Sequence, residues 1–435
     1  LQTLYGMADL FIVGQFGGVS STTAVSIGSQ IMHMLTVMIV GLAMGTTVNV
    51  GQAIGAGDQR RASKTVGNTV LLFLGASVIV TAVLLLGVKQ IVALMSTPVE
   101  AVNGTVSYLI ICFLGIPFVT AYNVISSIFR GLGDSKSPMY FVAVACVCNI
   151  ALDFLFMGAL KMGPSGAALG TTLSQGISVL AAVFMLKNKL GIRLHSQDFR
   201  PERSVMGQIL RIGAPIALQD GLIQVAFVII TIIANKRGLS DAAAVGIVEK
   251  VISFLFLVPS SMLSTVSALG AQNIGAGKYD RARKVLRYGI MIAAGFGVIV
   301  SVLIQFAAVP VVGLFTTDAA VRTAGGQYLR GYIWDCIFAG IHFSFSGYFC
   351  ACGRSELSFL HNIIAIVCVR IPGVYLTSML FPDTLLPMGL ATACGSLLSV
   401  VICLAAYYAF GADRRVFAKA APCSGTEDRS QAHAD

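Results

Sequence analysis

The chain has 435 residues, of which 56 % are hydrophobic and 11 % charged, with a formal net charge of +10 and a mean hydropathy of +0.84. Soluble domains are about a quarter charged, so this chain cannot clothe a water-facing surface. A soluble globular enzyme, a disordered chain, a collagen and a coiled coil are all excluded on that ground. Apolar stretches able to cross a bilayer, at roughly 20 residues each, recur along the chain. They are far longer than the ~10-residue alternating strands of an outer-membrane barrel. The expected class is an all-α polytopic membrane protein, because a helix satisfies its own backbone in lipid.

In chain order the spans are Leu1–Gln15, Thr23–Gly55, Ala62–Met95, Val99–Arg130, Pro138–Leu160 and Gly163–Leu186. A polar connection, 187–204, follows, and then Met206–Ala234, Ala242–Gly275, Val285–Phe315, Val321–Cys352, Leu357–Phe381 and Leu386–Phe410. The polar tail 411–435 is expected to be disordered. The cysteines lie mostly inside the spans, and the pairs Cys146/Cys148 and Cys350/Cys352 lack zinc-ribbon spacing. They read as small packing residues. Residues 1–16 lack the basic start of a cleavable leader and carry Asp9.

An internal repeat organises the chain. Residues 52–64, QAIGAGDQRRASK, and 272–284, QNIGAGKYDRARK, share eight identities in 13 positions at an offset of 220. Without gaps the same offset aligns residues 16–27 with 236–247 and Tyr108-Leu109 with Tyr328-Leu329. It also aligns Phe129, Gly133 and Ser135 with Phe349, Gly353 and Ser355. The spans therefore form two homologous six-helix lobes, 1–186 and 205–410, joined by a linker at 187–204. An even number of spans per lobe predicts a parallel repeat about an axis along the membrane normal. By the same offset, about three turns of span one would lie ahead of Leu1.

Lys and Arg are biased 21 to 6 between the two sets of loops, which predicts both termini in the cytoplasm of a plasma (inner) membrane protein. That bias accounts for the net charge without nucleic acid. The Gly-Ala-Gly turns at 55–57 and 275–277 lack phosphate-loop spacing and read as helix caps followed by cytoplasmic anchoring charge. No Walker motif, nucleophile–base pair or metal-ligand spacing stands out. ATP, a cofactor, a resident metal and enzymatic turnover are not expected, and secondary transport is.

A charge at the bilayer centre costs at least about 2.5–3.5 kcal/mol, so each one asks for a function. In the first half Asp9 sits mid-span among apolar neighbours, and Asn149 lies four residues before Asp153, on one helix face. A buried carboxyl beside an amide can hold a proton, because burial disfavours the charged form. It can equally coordinate Na⁺ through oxygens. The plainer alternative for Asp153 is a hydrogen bond to a neighbouring helix. At the repeat offset these positions become Ile229, Val369 and Gly373, so a folding need common to both halves does not explain them. The second half carries Asp220, Glu249, Lys250, Asp335, His342 and Arg370. They can form a paired structural network or a second ion site, with Arg370 a partner for a carboxylate. His33, among Met32, Met34 and Met38, is expected in the core.

The same residues carry a family resemblance: Asp9 with Gly14-Gln15, Ala24-Val25, Gly51-Gln52 with Gly55-Ala56-Gly57, and Asn149-x3-Asp153. Gly213-Ala214-Pro215, Gly246, Glu249-Lys250, Pro259-Ser260 and Ala271–Gly277 continue it in the second half. In this order, on a duplicated twelve-span chain, the pattern resembles the multidrug and toxic compound extrusion transporters, in particular their bacterial DinF-like branch, from Leu4 to about Phe410. The resemblance implies a V-shaped pair of lobes around a central cavity. It implies export of organic, mostly cationic amphipathic compounds in exchange for H⁺ or Na⁺. It also maps a first-lobe ion site onto Asp9, Asn149 and Asp153. Relatives with a glutamate in span seven differ from this chain, which has Asp220 and Gln224 there.

The expected partners are small organic cations and membrane lipid, with no nucleic acid and no ATP, and a monomer is expected. A lipid-linked precursor flippase is the main alternative. It would favour a cationic cavity, whereas the intramembrane charges number five acids against two bases. The loop signature of major-facilitator carriers is not met at residues 55–64.

Overall fold

The computed structural model describes residues 9, 11–16, 18–95, 97–189, 191 and 194–411. The tail beyond residue 411 lies outside them, as do most residues of span one. Among the described residues there are only helices, turns and short connections. Residues 11–16 form α1. The rest of the first lobe is α2 (Val19–Gly55), α3 (Gln59–Leu94), α4 (Val99–Leu114), α5 (Ile116–Gly131), α6 (Lys136–Asp153) with a π-helical extension Phe154–Ala159, and α7 (Pro164–Lys189). A 3₁₀ turn, Ser196–Phe199, leads to α8 (Arg203–Asn235), α9 (Leu239–Leu255), α10 (Leu257–Gly275) and α11 (Tyr279–Gly313). Then come α12 (Ala319–Tyr332), α13 (Asp335–Ala351), α14 (Ser355–Ala365), a π segment Ile366–Arg370, α15 (Ile371–Leu380) and α16 (Leu386–Gly411).

From residue 18 onward helices stand at each of the eleven remaining expected spans, several of them broken, while most of the expected first span lies outside the described residues. Among the described residues nine helices are long and apolar enough to cross a membrane, and α4 with α5, bent by 47°, makes a tenth. The span formed by α12 and α13 is more polar, holding Arg322, Arg330 and Asp335. Its break at 332–335 falls at the repeat position of the α4/α5 break at Gly115. A peptide carbonyl released at a break needs a new partner in lipid. Such breaks therefore persist where other protein surrounds them.

The repeat is visible atom by atom in the turns. Asp134 N–H donates to Phe129 O at 2.9 Å, and Arg354 N–H to Phe349 O at 2.8 Å. The Gly-Ala-Gly turns cap α2 and α10 as expected, with Gly57 and Gly277 at φ +74° and +70°, the left-handed region open to glycine. Asp58 then caps α3 by accepting from Arg61 N–H at 2.9 Å.

Each lobe has its own core. In the first, Ile12, Val13, Val25, Leu109, Phe113 and Met157 pack together. In the second, Tyr328, Tyr332, Val245, Val374 and Met388 do so. Between lobes, α2 runs along α8 and α10. Val48 is buried in one cluster with Ile212, Ile216, Ala271 and Phe349. These contacts lie in the helix halves that end at the basic loops.

The linker is tied to the first lobe. Lys64 Nζ lies 3.1 Å from Glu202 Oε2, Glu202 N–H donates to Asn68 Oδ1 at 2.7 Å, and Asn68 Nδ2 donates to Asp198 O at 3.4 Å. One expectation fails: His33 and Met34 are exposed, not in the core. Ile31, Met32 and Leu35 turn toward the first-lobe core, which leaves His33 and Met34 on the opposite side of α2.

Candidate functional site

The first-lobe residues singled out from the sequence come together. Asp9, Asn149 and Asp153 are 4 %, 0 % and 0 % exposed. Asn149 and Asp153 occupy one face of α6, and the Asp9 carboxyl lies against both side chains. Thr171 of α7 donates its hydroxyl to Asp9 Oδ2 at 3.2 Å. Asp9 Oδ1, both Asp153 oxygens and both polar atoms of Asn149 have no hydrogen-bond partner among the described residues. Tyr108 and Cys112 of α4 line the same neighbourhood, within electrostatic reach of Asp9.

Two features set the position of Asp153. Asp153 is the last residue of α6, where the helix widens into the π segment Phe154–Ala159, and π turns of this kind re-aim side chains. Across from it, Gly170 leaves the space: a Cβ there would overlap Asp153 Oδ1. Thr171 and Gly170 were not singled out in the sequence. The cue available was a polar run, Thr171, Thr172, Ser174 and Gln175, inside an otherwise apolar span.

Chemically, the cluster offers two carboxyls, an amide oxygen and a hydroxyl, all oxygen donors. Two buried carboxylates side by side repel strongly at low dielectric. They can coexist when they share a proton or enclose a cation. The second lobe has no equivalent. At the repeat offset the four positions are Ile229, Val369, Gly373 and Ala391, and a Cβ on Gly373 would stand only 3.2 Å from that of Ala391.

The second-lobe charges divide. Arg370, at the end of the π segment, lies 3.6 Å from Asp335 and donates to the Tyr332 hydroxyl at 2.5 Å. Its guanidinium stands over the rings of Phe227 and Tyr332, at 5.3 and 5.7 Å from their centroids. Glu249 accepts from Thr231 at 3.2 Å and faces the same guanidinium at longer range. This core holds two acids and one base. His342 is separate from it by contact: its ring meets that of His361 at 5.5 Å. His361 in turn bonds Ser346 at 2.8 Å and Ser399 at 3.2 Å. Asp220 lies where α8 meets α2, against Gly41. Lys250 is exposed and makes no part of the network, because its position, about 100° around α9 from Glu249, points elsewhere. Tyr332, Thr231 and His361 were not anticipated; aromatic and hydroxyl residues in a span carry no signal that separates packing from pairing.

Among the described residues no group of three or more His, Cys, Asp or Glu could hold a metal ion.

Residues 1–155 and 215–376 match the family profile described as MatE. Over 390 residues the chain is 27 % identical to the "Probable multidrug resistance protein YoeA" of Bacillus subtilis, covering 87 % of this chain and 83 % of that one. It is 29 % identical over 373 residues to "Probable multidrug resistance protein YpnP" of the same organism, covering 86 % and 83 %. It is 24 % identical over 384 residues to the "Multidrug export protein MepA" of Staphylococcus saprophyticus, covering 88 % and 84 %. Among solved structures, the outward-facing conformation of a multidrug resistance MATE family transporter superposes with a TM-score of 0.88, at 23 % identity, over 96 % of this chain and 92 % of that one. A MATE structure in a bent conformation does so with 0.89, at 23 % identity, over 96 % and 93 %.

Proposed function

Because this chain belongs to the MatE family of multidrug efflux transporters, a multi-pass membrane protein by its helices, we propose that it is a secondary antiporter. It exports organic, mostly cationic amphipathic compounds in exchange for inward H⁺, with Na⁺ as the alternative ion. It works by alternating access, in the plasma membrane, with the basic loops and both termini on the cytoplasmic side.

The observation that carries this reading is the buried first-lobe cluster. Asp9 and Asp153 sit together with Asn149 and Thr171, and the second lobe replaces all four with apolar residues. A proton or Na⁺ arriving from outside is shared between the two carboxyls, removes one of their two negative charges and so relieves the repulsion that the surrounding helices otherwise bear. Thr171, on a different helix from Asp153, makes the Asp9 contact sensitive to how α1 packs on α7. Ion and drug then favour different states of the same helices, which is the differential affinity coupling requires. The excess of buried acids favours cationic cargo over the pyrophosphate of a lipid-linked precursor.

The test is efflux from proteoliposomes of a fluorescent cation such as ethidium under an imposed pH gradient, with and without a Na⁺ gradient. Wild type should export under the pH gradient and Asp9→Asn should not, while both retain the fold. Transport by Asp9→Asn with unchanged pH dependence would overturn the assignment. Efflux driven by Na⁺ alone would keep the site and change the ion. No efflux under either gradient would favour the flippase reading.

A further inference from the structure

The repeated motif has a role that helix capping does not exhaust. Gln52, three residues before the end of α2, donates from Nε2 to Ala351 O at 2.9 Å. Gln272, its repeat equivalent in α10, donates to Gly131 O at 2.8 Å. The acceptors are themselves repeat equivalents, 131 and 351 at the offset of 220. Each is the last residue of its helix, α5 or α13. The last four carbonyls of a helix have no partner inside it. Each glutamine therefore satisfies an orphan carbonyl of the opposite lobe, and the two bonds are reciprocal.

The backbone is built for this meeting. A Cβ on Gly55 would overlap Gln272 O, and a Cβ on Gly275 would overlap Gln52 O. The ends of α2 and α10 thus cross in direct backbone contact, which only glycine permits. Gly51 faces Ala271 at the same crossing. Four helix C-termini converge here, each with a partial negative charge. The basic residues that follow them, Arg60, Arg61, Lys278, Arg281 and Arg354, stand at the same end, which offsets that charge.

We propose that Gln52 and Gln272 are a two-part latch that holds the lobes together at the basic end, and that opening of this end during transport requires both bonds to break. This rests on the alternating-access reading above, and it assigns positioning residues rather than ion or drug ligands. Both bonds and both glycine contacts are lost together when the lobes part, so the latch favours the closed arrangement without stabilising either lobe on its own.

The test needs no substrate and no ion gradient. Ala271 is fully buried at the crossing. A cysteine placed there, in an otherwise cysteine-free full chain, is alkylated by a membrane-impermeant maleimide at a rate proportional to the open population. A net hydrogen bond is worth about 1 kcal/mol. Gln52→Ala and Gln272→Ala should each raise the rate about fivefold, and the double variant about thirtyfold. Gly275→Ala should raise it by a steric route that leaves both amides in place. In a parallel background keeping only Cys336, buried inside the second lobe, the rate should stay unchanged, which separates opening from loosening of the fold. A double variant alkylated within twofold of its parent would overturn the latch, even where the efflux assay upholds antiport. If Gly275→Ala fails to fold, the glutamine pair still decides.

Discussion

The Arg370 core offers a sharp separation between a structural network and a second ion site. The perturbation is removal of the guanidinium by Arg370→Met, which keeps most of the side-chain volume. Arg370 and Asp335 are 11 % and 1 % exposed at the side chain and 3.6 Å apart. Without Arg370, Asp335 and Glu249 both lose the guanidinium that each of them faces. Breaking a buried pair from one side typically costs about 3–5 kcal/mol. That range includes the charged bond to Tyr332, worth about 1.5–3 kcal/mol, and the contacts with the two rings, worth about 1 kcal/mol. Asp335→Asn is milder, at about 1–3 kcal/mol, because Arg370 keeps Glu249, Tyr332 and both ring faces. The double variant should cost less than the two singles summed, by about 0.5–3 kcal/mol. Trp334, the single tryptophan of the chain, stands next to Asp335 at the break between α12 and α13. Its fluorescence during thermal or denaturant unfolding in detergent reports the region directly. Ion-driven efflux is measured on the same variants. A paired structural core predicts Arg370→Met well below wild type in stability and Asp335→Asn still coupled. Wild-type stability for Arg370→Met would refute the reasoning. So would an Asp335→Asn variant of full stability that has lost ion-driven efflux, since that combination describes an ion site.

Two further outcomes follow from particular contacts. Gly170→Ala must displace the Asp153 carboxyl, because the new methyl would occupy its place. Overpacking of this kind costs about 1–3 kcal/mol, and coupled efflux should fall about 10-fold or more while drug binding in the absence of a gradient persists; unchanged efflux would separate Asp153 from coupling. At the linker, hydrogen bonds from Ser204 and Lys64 hold the Glu202 carboxyl below its ordinary value. A depressed carboxyl stabilises above the unfolded value and loses that contribution as pH falls through the folded one. The pair is exposed, so the effect is at most ~1 kcal/mol and fades with salt. The hydrogen-exchange protection around residues 198–206, taken relative to the intrinsic base-catalysed rate at each pH, should fall on acidification in wild type and stay constant in Glu202→Gln.

What the sequence revealed, and what it hid, follows from the bilayer. In water, burial writes an alternation of apolar and polar residues, and the polar face marks the outside. In lipid the outside is apolar as well, so a packing residue and a lipid-facing residue look alike. Asp9, Asn149 and Asp153 stood out because charge and amide are costly there, and the structure brings them together. Thr171 and Gly170 did not, since hydroxyl and glycine are common packing residues in membrane helices. His33 read as core because its neighbours are methionines, and it is exposed. The break at 332–335 and the π segment Phe154–Ala159 contain no proline and leave no composition signal, whereas Pro117 follows the break at Gly115 and Pro372 the π segment Ile366–Arg370, a cue weakened because membrane helices also tolerate proline within a span.

The internal repeat partly restores what lipid erases, since it compares two solutions to one folding problem within one chain. Where the halves agree, at Gln52 and Gln272, Gly57 and Gly277, or Gly133 and Gly353, the structure shows one geometry made twice: caps, turns and a reciprocal interlobe bond. Where they disagree, at Asp9 and Ile229 or Asp153 and Gly373, one half carries polar atoms the other has no need of. Agreement therefore points to structure that both lobes need, and, on the alternating-access proposal, to the contacts at which they part. Disagreement points to chemistry confined to one lobe. Gln52 and Gln272 fall on the first side of that division and Asp9 on the second. The two sets should then fail differently: loss of the glutamines changes which end is open, and loss of Asp9 changes what drives the opening.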